Sequence, residues 1–140
     1  MSSERRLNLA LLEGRFAICR LGVNEPVPAW VLDASGFIAF VRTSDELSVL
    51  CQEKILPANI LSESGWRMFM VEGPLDFAIT GVLLALAKPL SDAGLSILAI
   101  STFGTDYLLV KEEALESAVH ALAAAGHRIK RPQKHVFGGN

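Results

Sequence analysis

With 140 residues, half of them apolar and a fifth charged, the chain has the composition of a soluble globular protein, with room for one ordinary domain or two very small ones sharing a core. Its 13 basic and 15 acidic residues are mixed along the sequence and sum to −2, which lacks the dense basic footprint of non-specific nucleic-acid binding. The longest apolar stretch, residues 77–87, contains Thr80 and Gly81 and is too short for a bilayer span, and no cleavable apolar segment follows the polar residues 1–6.

Residues 7–12 and 16–21 read as strands joined through Glu13, Gly14 and Arg15 as a hairpin. Pro26 and Pro28 make 24–28 a loop, and Trp30-Val31-Leu32 reads as a brief strand or a helical turn. Residues 37–43 and 48–51 are strands around a turn at Ser44-Asp45-Glu46. Residues 67–72 form a strand with Trp66 leading in, and Gly73-Pro74-Leu75-Asp76 is a loop. Ile79, Val82, Leu83, Leu86 and Leu90 keep helical spacing from Phe77 or Thr80 to Ala93, with Asp76 read as an N-cap or, alternatively, a ligand contact. Pro89 interrupts that helix, and either kinks it or sits where tertiary contacts replace the lost hydrogen bond. Gly94 stops it.

Residues 96–101 and 107–111 follow as strands, and 112–125 as an amphipathic helix with acids in its first turn and Leu115, Val119 and Leu122 as its buried stripe. Gly126 ends this helix and 127–131 form a last strand. Cys19 and Cys51 lie within apolar runs and read as reduced core residues, which places the chain in the cytoplasm.

Residues 66–131 thus spell β-α-β-β-α-β, the ferredoxin-like order, and predict an α+β sandwich of four strands backed by two helices. Residues 40–53 echo 99–112 at an offset of 59 with one residue of slippage: strand, Thr-containing turn, acid, strand, Glu. Two related modules follow, the first degenerate: 1–62 and 63–131, with 132–140 a basic tail.

The segment 97–110 carries the functional question. Two apolar strands flank a polar turn, and Asp106 stands at the start of the second. A carboxylate there loses hydration and needs a cationic or donor partner, supplied by a ligand or by the protein as a turn cap or a salt bridge to Arg42 or Lys111. Thr80-Gly81-Val82 at a helix N-terminus presents N–H groups to a carboxylate, or Gly81 merely relieves crowding between helix and sheet. Ser101 and Thr102 offer hydroxyls, and Phe103 walls a pocket or fills an interface. Thr43, Ser44 and Glu46 are the counterparts for a second, vestigial site expected to stay unoccupied.

Catalysis has little support. His120, His127 and His135 lack the i, i+4 spacing of a helical metal site, neither cysteine has a histidine near it in sequence, and no Gly-x-Ser-x-Gly elbow or phosphate loop is present. The reading is therefore not an enzyme, with no metal and no cofactor.

The segments Val71-Glu72-Gly73-Pro74-Leu75-Asp76-Phe77, Pro89-Leu90-Ser91-Asp92-Ala93-Gly94 and Ser101-Thr102-Phe103-Gly104-Thr105-Asp106-Tyr107 resemble those of an ACT domain. The last is similar to the turn of a bacterial group of tandem ACT proteins and of the metazoan cytosolic arginine sensor. The resemblance implies two ferredoxin-like modules in tandem that act as a regulatory sensor. It also implies a free amino acid or similar small zwitterion bound where modules pair, here in a homodimer, with a regulated enzyme as a possible partner. Carried onto this sequence, the ligand-binding positions are Gly81, Val82, Ser101, Thr102, Phe103 and Asp106, with Asp106 meeting a cationic group.

Overall fold

A computed structural model describes residues 6–73 and 81–132. The predicted loop at 74–76, the N-cap Asp76, the helix start at 77–80 and the tail from 133 onward lie outside the described residues. Among the described residues, eight strands, three α-helices and two 3₁₀ turns are arranged in two compact units, one built from the described parts of 1–13 and 67–140, the other from Gly14–Trp66. The first strand thus belongs with the C-terminal residues, and the division does not fall at 62/63.

In the larger unit, β1 (Asn8–Leu11), the end of β5 (Ser62–Val71), β6 (Ile97–Ser101), β7 (Asp106–Lys111) and β8 (Arg128–Lys130) form the order β6-β7-β5-β1-β8. Helices α2 (Val82–Asp92) and α3 (Leu115–Ala124) complete the β-α-β-β-α-β succession, α3 being preceded by a 3₁₀ turn over Glu112–Ala114. Five strands stand where four were expected, because β1 lies between β5 and β8, antiparallel to the first and parallel to the second. Alternation sends Leu9, Leu11, Phe69, Val71, Leu108 and Val110 to one face, against Leu86, Leu90, Leu115, Ala118 and Leu122. Ala118, and not the predicted Val119, joins the fully buried stripe of α3.

In the smaller unit, β2 (Phe16–Leu21), β3 (Ile38–Arg42), β4 (Leu47–Gln52) and the beginning of β5 pair in the order β3-β4-β2-β5, with a one-turn helix α1 (Ala29–Leu32) and a 3₁₀ turn over Glu53–Ile55. Cys19, Leu21, Val31, Leu47, Val49 and Cys51 form its core. Residues 7–12 and 16–21 are strands as expected, but they are not a hairpin. β1 pairs with β5 and β8, whereas β2 pairs with β4 and β5. A ten-residue β5 offers each of them its own half, and a short connector is no proof of pairing. The sequence under-reads β5 because Gly65, at φ 81°, sits where the pairing with β2 shifts register between Phe16 and Ile18. Glu53 bridges this irregularity, its carboxylate accepting the Gly65 N–H at 2.5 Å and the Arg15 Nε–H at 3.2 Å.

Pro89 lies within α2 and brings no N–H to the Ala85 carbonyl four residues back. His127, 5% exposed, replaces that donor. Its Nδ1 accepts the Leu7 N–H at 3.1 Å, so the ring proton sits on Nε2, which donates to the Ala85 carbonyl at 2.9 Å. One imidazole thereby ties the start of β1 to α2 from just beyond the C-terminus of α3. This is the tertiary replacement that the position of Pro89 calls for.

Two predictions follow from these cores. His127→Ala should cost about 2–3 kcal/mol, because two backbone groups lose their partner. Adding Pro89→Ala should recover about 1 kcal/mol of that loss, since the amide restored at position 89 satisfies Ala85. Urea denaturation of the two single variants and the double variant measures the coupling, and strict additivity would contradict it. Burial, aided by the neighbouring Cys19, pushes the Cys51 thiol from 9.0 up to about 11. The folded chain therefore favours the neutral thiol, so stability is complete below pH 9.0 and declines as pH rises toward about 11. Cys51→Ala should flatten that decline in denaturation curves taken across the interval.

Candidate functional site

The β6–β7 connection is closed by a threonine. The Thr102 N–H donates to the Thr105 carbonyl at 2.8 Å; its hydroxyl donates to the same carbonyl at 3.2 Å and accepts the Thr105 N–H at 3.3 Å. Thr105 in turn donates its own hydroxyl to the Val71 carbonyl at 2.7 Å, which fixes the turn beside the end of β5. Thr105 was not among the expected site residues; its place as the last residue of the turn was the available signal.

Because Thr102 closes the turn, Asp106 is not the turn cap. It faces Ser101 across the first rung of the hairpin, and the Ser101 hydroxyl donates to Oδ1 at 2.5 Å. Among the described residues no ion pair joins a cation to this half-buried carboxylate. Of the two cations proposed for it, Arg42 is engaged elsewhere, donating to the carbonyls of Val23 at 2.6 Å and Glu25 at 2.8 Å. Lys111 stands at the far end of the strand that Asp106 begins.

Ser101, Thr102 and Asp106 are thus brought together on one hairpin, and Phe103 stands at its tip with 87% of its surface exposed. Gly81 and Val82 open the helix that follows β5. Gly81 is the N-cap residue at φ 80°, a left-handed conformation that disfavours side chains, and a Cβ there would meet nothing within 4 Å. Dihedral need, and not crowding, explains the glycine. Val82 is 5% exposed, so what it can offer a ligand is its backbone N–H and not its side chain. Among the described residues, no group of three or more His, Cys, Asp or Glu side chains is placed to hold a metal ion, and no helix is long and apolar enough to cross a membrane.

The smaller unit repeats the hairpin residue for residue. Ile38 to Arg42 pair with Cys51 to Leu47 as Ile97 to Ser101 pair with Val110 to Asp106, each position 59 further on. Thr43 closes its turn as Thr102 does, its N–H donating to the Glu46 carbonyl at 2.9 Å and its hydroxyl accepting the Glu46 N–H at 3.2 Å. The expected slippage of one residue disappears. Asp45 corresponds to Gly104, and the counterpart of Asp106 is Leu47, with no exposed surface.

The ACT domain family model matches residues 61–124, and a second model, of an N-terminal domain, matches 14–59. Residues 61–124 are therefore an ACT domain. Among its relatives, the human "Cytosolic arginine sensor for mTORC1 subunit 1" is 35% identical over 94 residues, which make up 61% of this chain and 29% of the sensor. The chain therefore spans less than a third of the curated relatives it matches. A crystal structure from Agrobacterium tumefaciens is 38% identical, with a TM-score of 0.87 over 95% of this chain and 98% of that one. The ligand-free regulatory subunit of aspartate kinase from Thermus thermophilus shares the fold at 13% identity, with a TM-score of 0.61 over 84% and 96% of the two chains.

Asp106→Ala should change the unfolding free energy by less than about 0.5 kcal/mol, since it removes one exposed hydroxyl contact. Thr105→Val should cost about 1 kcal/mol by leaving the Val71 carbonyl unpaired. Chemical denaturation ranks the two, and a larger loss for Asp106→Ala would assign that carboxylate to the fold.

Proposed function

We propose that this chain is a cytoplasmic, non-catalytic regulatory module that binds a free amino acid or a similar small zwitterion at the β6–β7 hairpin. Asp106 receives a cationic group of the ligand, Ser101 orients the carboxylate, Thr102 and Phe103 border the ligand, and the N–H groups at the start of α2, at Gly81 and Val82, receive its carboxylate. The observation that carries the reading is Asp106 itself: a half-buried acid at a strand start, bonded to a neutral hydroxyl and relieved of the turn. The arginine sensor's name supports an amino acid as the ligand class. The repeat at 59 residues supports two ACT-like modules in tandem, of which residues 14–66 are the degenerate one: its 3₁₀ turn over Glu53–Ile55 matches that over Glu112–Ala114, but no counterpart of α3 follows it. A second copy of the chain completes the seam at which the ligand sits. Ligand bridging then shifts the population of the paired state, which a regulated enzyme reads.

The exposed side chains of Phe103 and Leu84 favour a second reading, an interaction module that docks a partner through exposed apolar side chains without a small ligand. Titration calorimetry against the common amino acids separates the two. The proposal expects at least one to bind, and Asp106→Ala to weaken it about tenfold or more while the fold persists. Absence of heat and of thermal stabilisation with every amino acid would leave the interaction module.

A further inference from the structure

The smaller unit carries a cation of its own on the hairpin rung that matches the proposed ligand site of the larger one. At the position of Ser101 stands Arg42, and its guanidinium donates from both terminal nitrogens, Nη1 to the Val23 carbonyl and Nη2 to the Glu25 carbonyl. Those carbonyls belong to the loop that leaves β2, the first strand of its unit, just as the segment leaving β5 leads into α2. The loop folds back on itself through the Glu25 N–H, which donates to the Gly22 carbonyl at 3.1 Å, so the two acceptors are set side by side. Leu47 replaces Asp106 and is fully buried, which leaves an incoming cation no carboxylate to meet. A guanidinium fork suits two neighbouring carbonyls, whereas an ammonium cannot match that planar spacing.

We propose that Arg42 is a built-in occupant: the Val23 and Glu25 carbonyls form a guanidinium site that the chain fills with its own side chain, so that it binds one external ligand and not two. This rests on the reading of the β6–β7 hairpin as the ligand site. It goes further in assigning the smaller unit a fixed, self-liganded role.

Amide hydrogen exchange on the full chain tests the site without reference to ligand binding in the larger unit. Arg42→Ala should speed exchange at the Glu25 amide about tenfold, the loss expected for a charge-assisted bond. Ethylguanidinium chloride in the millimolar range should restore protection saturably, and equal sodium chloride or ethylammonium chloride should not. Arg42→Gln, which keeps the stem, and Arg42→Lys, which keeps the charge, are measured beside it and should remain unprotected. Unchanged exchange in Arg42→Ala, or acceleration that ethylguanidinium fails to reverse, overturns the proposal. Any amino acid that binds the wild-type chain should titrate at one per chain, and two would likewise overturn it. Asp106→Ala should weaken that binding about tenfold or more without moving the Glu25 amide, so failure of the hairpin site and failure of the Arg42 site give different results.

Discussion

The turn-closing threonine is the constraint from which the rest of the site follows. A polar connection between two buried strands must satisfy its own backbone groups, and an acid at the strand start is a common means of doing so. Here the Thr102 hydroxyl serves both the N–H and the carbonyl of Thr105, and Thr105 anchors the turn to β5. With the backbone provided for, Asp106 is released from structural duty. It keeps one neutral partner, the Ser101 hydroxyl, beside an exposed turn. The same closure in the smaller unit, with leucine in place of the acid, shows that the hairpin folds without the carboxylate. Closure of the hairpin turn therefore does not call for the acid.

The two hairpins express one backbone solution with opposite side-chain chemistry. Where the larger unit places a serine and an aspartate on the first rung, the smaller one places an arginine and a buried leucine. The first pair leaves an anionic acceptor beside an exposed turn. The second carries its own cation, which donates to two loop carbonyls. The proposed division into one ligand-responsive and one self-liganded unit rests on this difference between the two rungs.

Much of this was legible in the sequence. The succession from β5 to β8 followed from hydrophobic periodicity and from the stops at Gly94 and Gly126, and Pro89 correctly announced a missing hydrogen bond in need of a substitute. That His127 supplies it was not legible, because the histidine lies 38 positions away and meets Ala85 only once α2 and α3 have packed. The hairpin expected of 7–12 and 16–21 failed for a similar reason: adjacency in sequence favoured a local pairing, whereas β1 completes a core with β5 and β8. The slippage assigned to the repeat came from matching acid to acid. The turn is counted by its threonine, and Asp45 matches a glycine. That Ser101, Thr102 and Asp106 share one hairpin was legible because their placement is local. Arg42 was read as a partner for Asp106 because sequence shows its charge but not its reach toward Val23 and Glu25.

Carbon-13 detection of the Asp106 carboxyl resonance probes the central claim most directly, since it watches the one atom group that the account singles out. Addition of a binding amino acid should shift the Asp106 Cγ signal saturably, with the carboxyl signals of Glu112, just beyond the hairpin, and of Asp45 comparatively still. Binding that saturates while the Asp106 signal stays in place would show that the ligand's cationic group is held elsewhere.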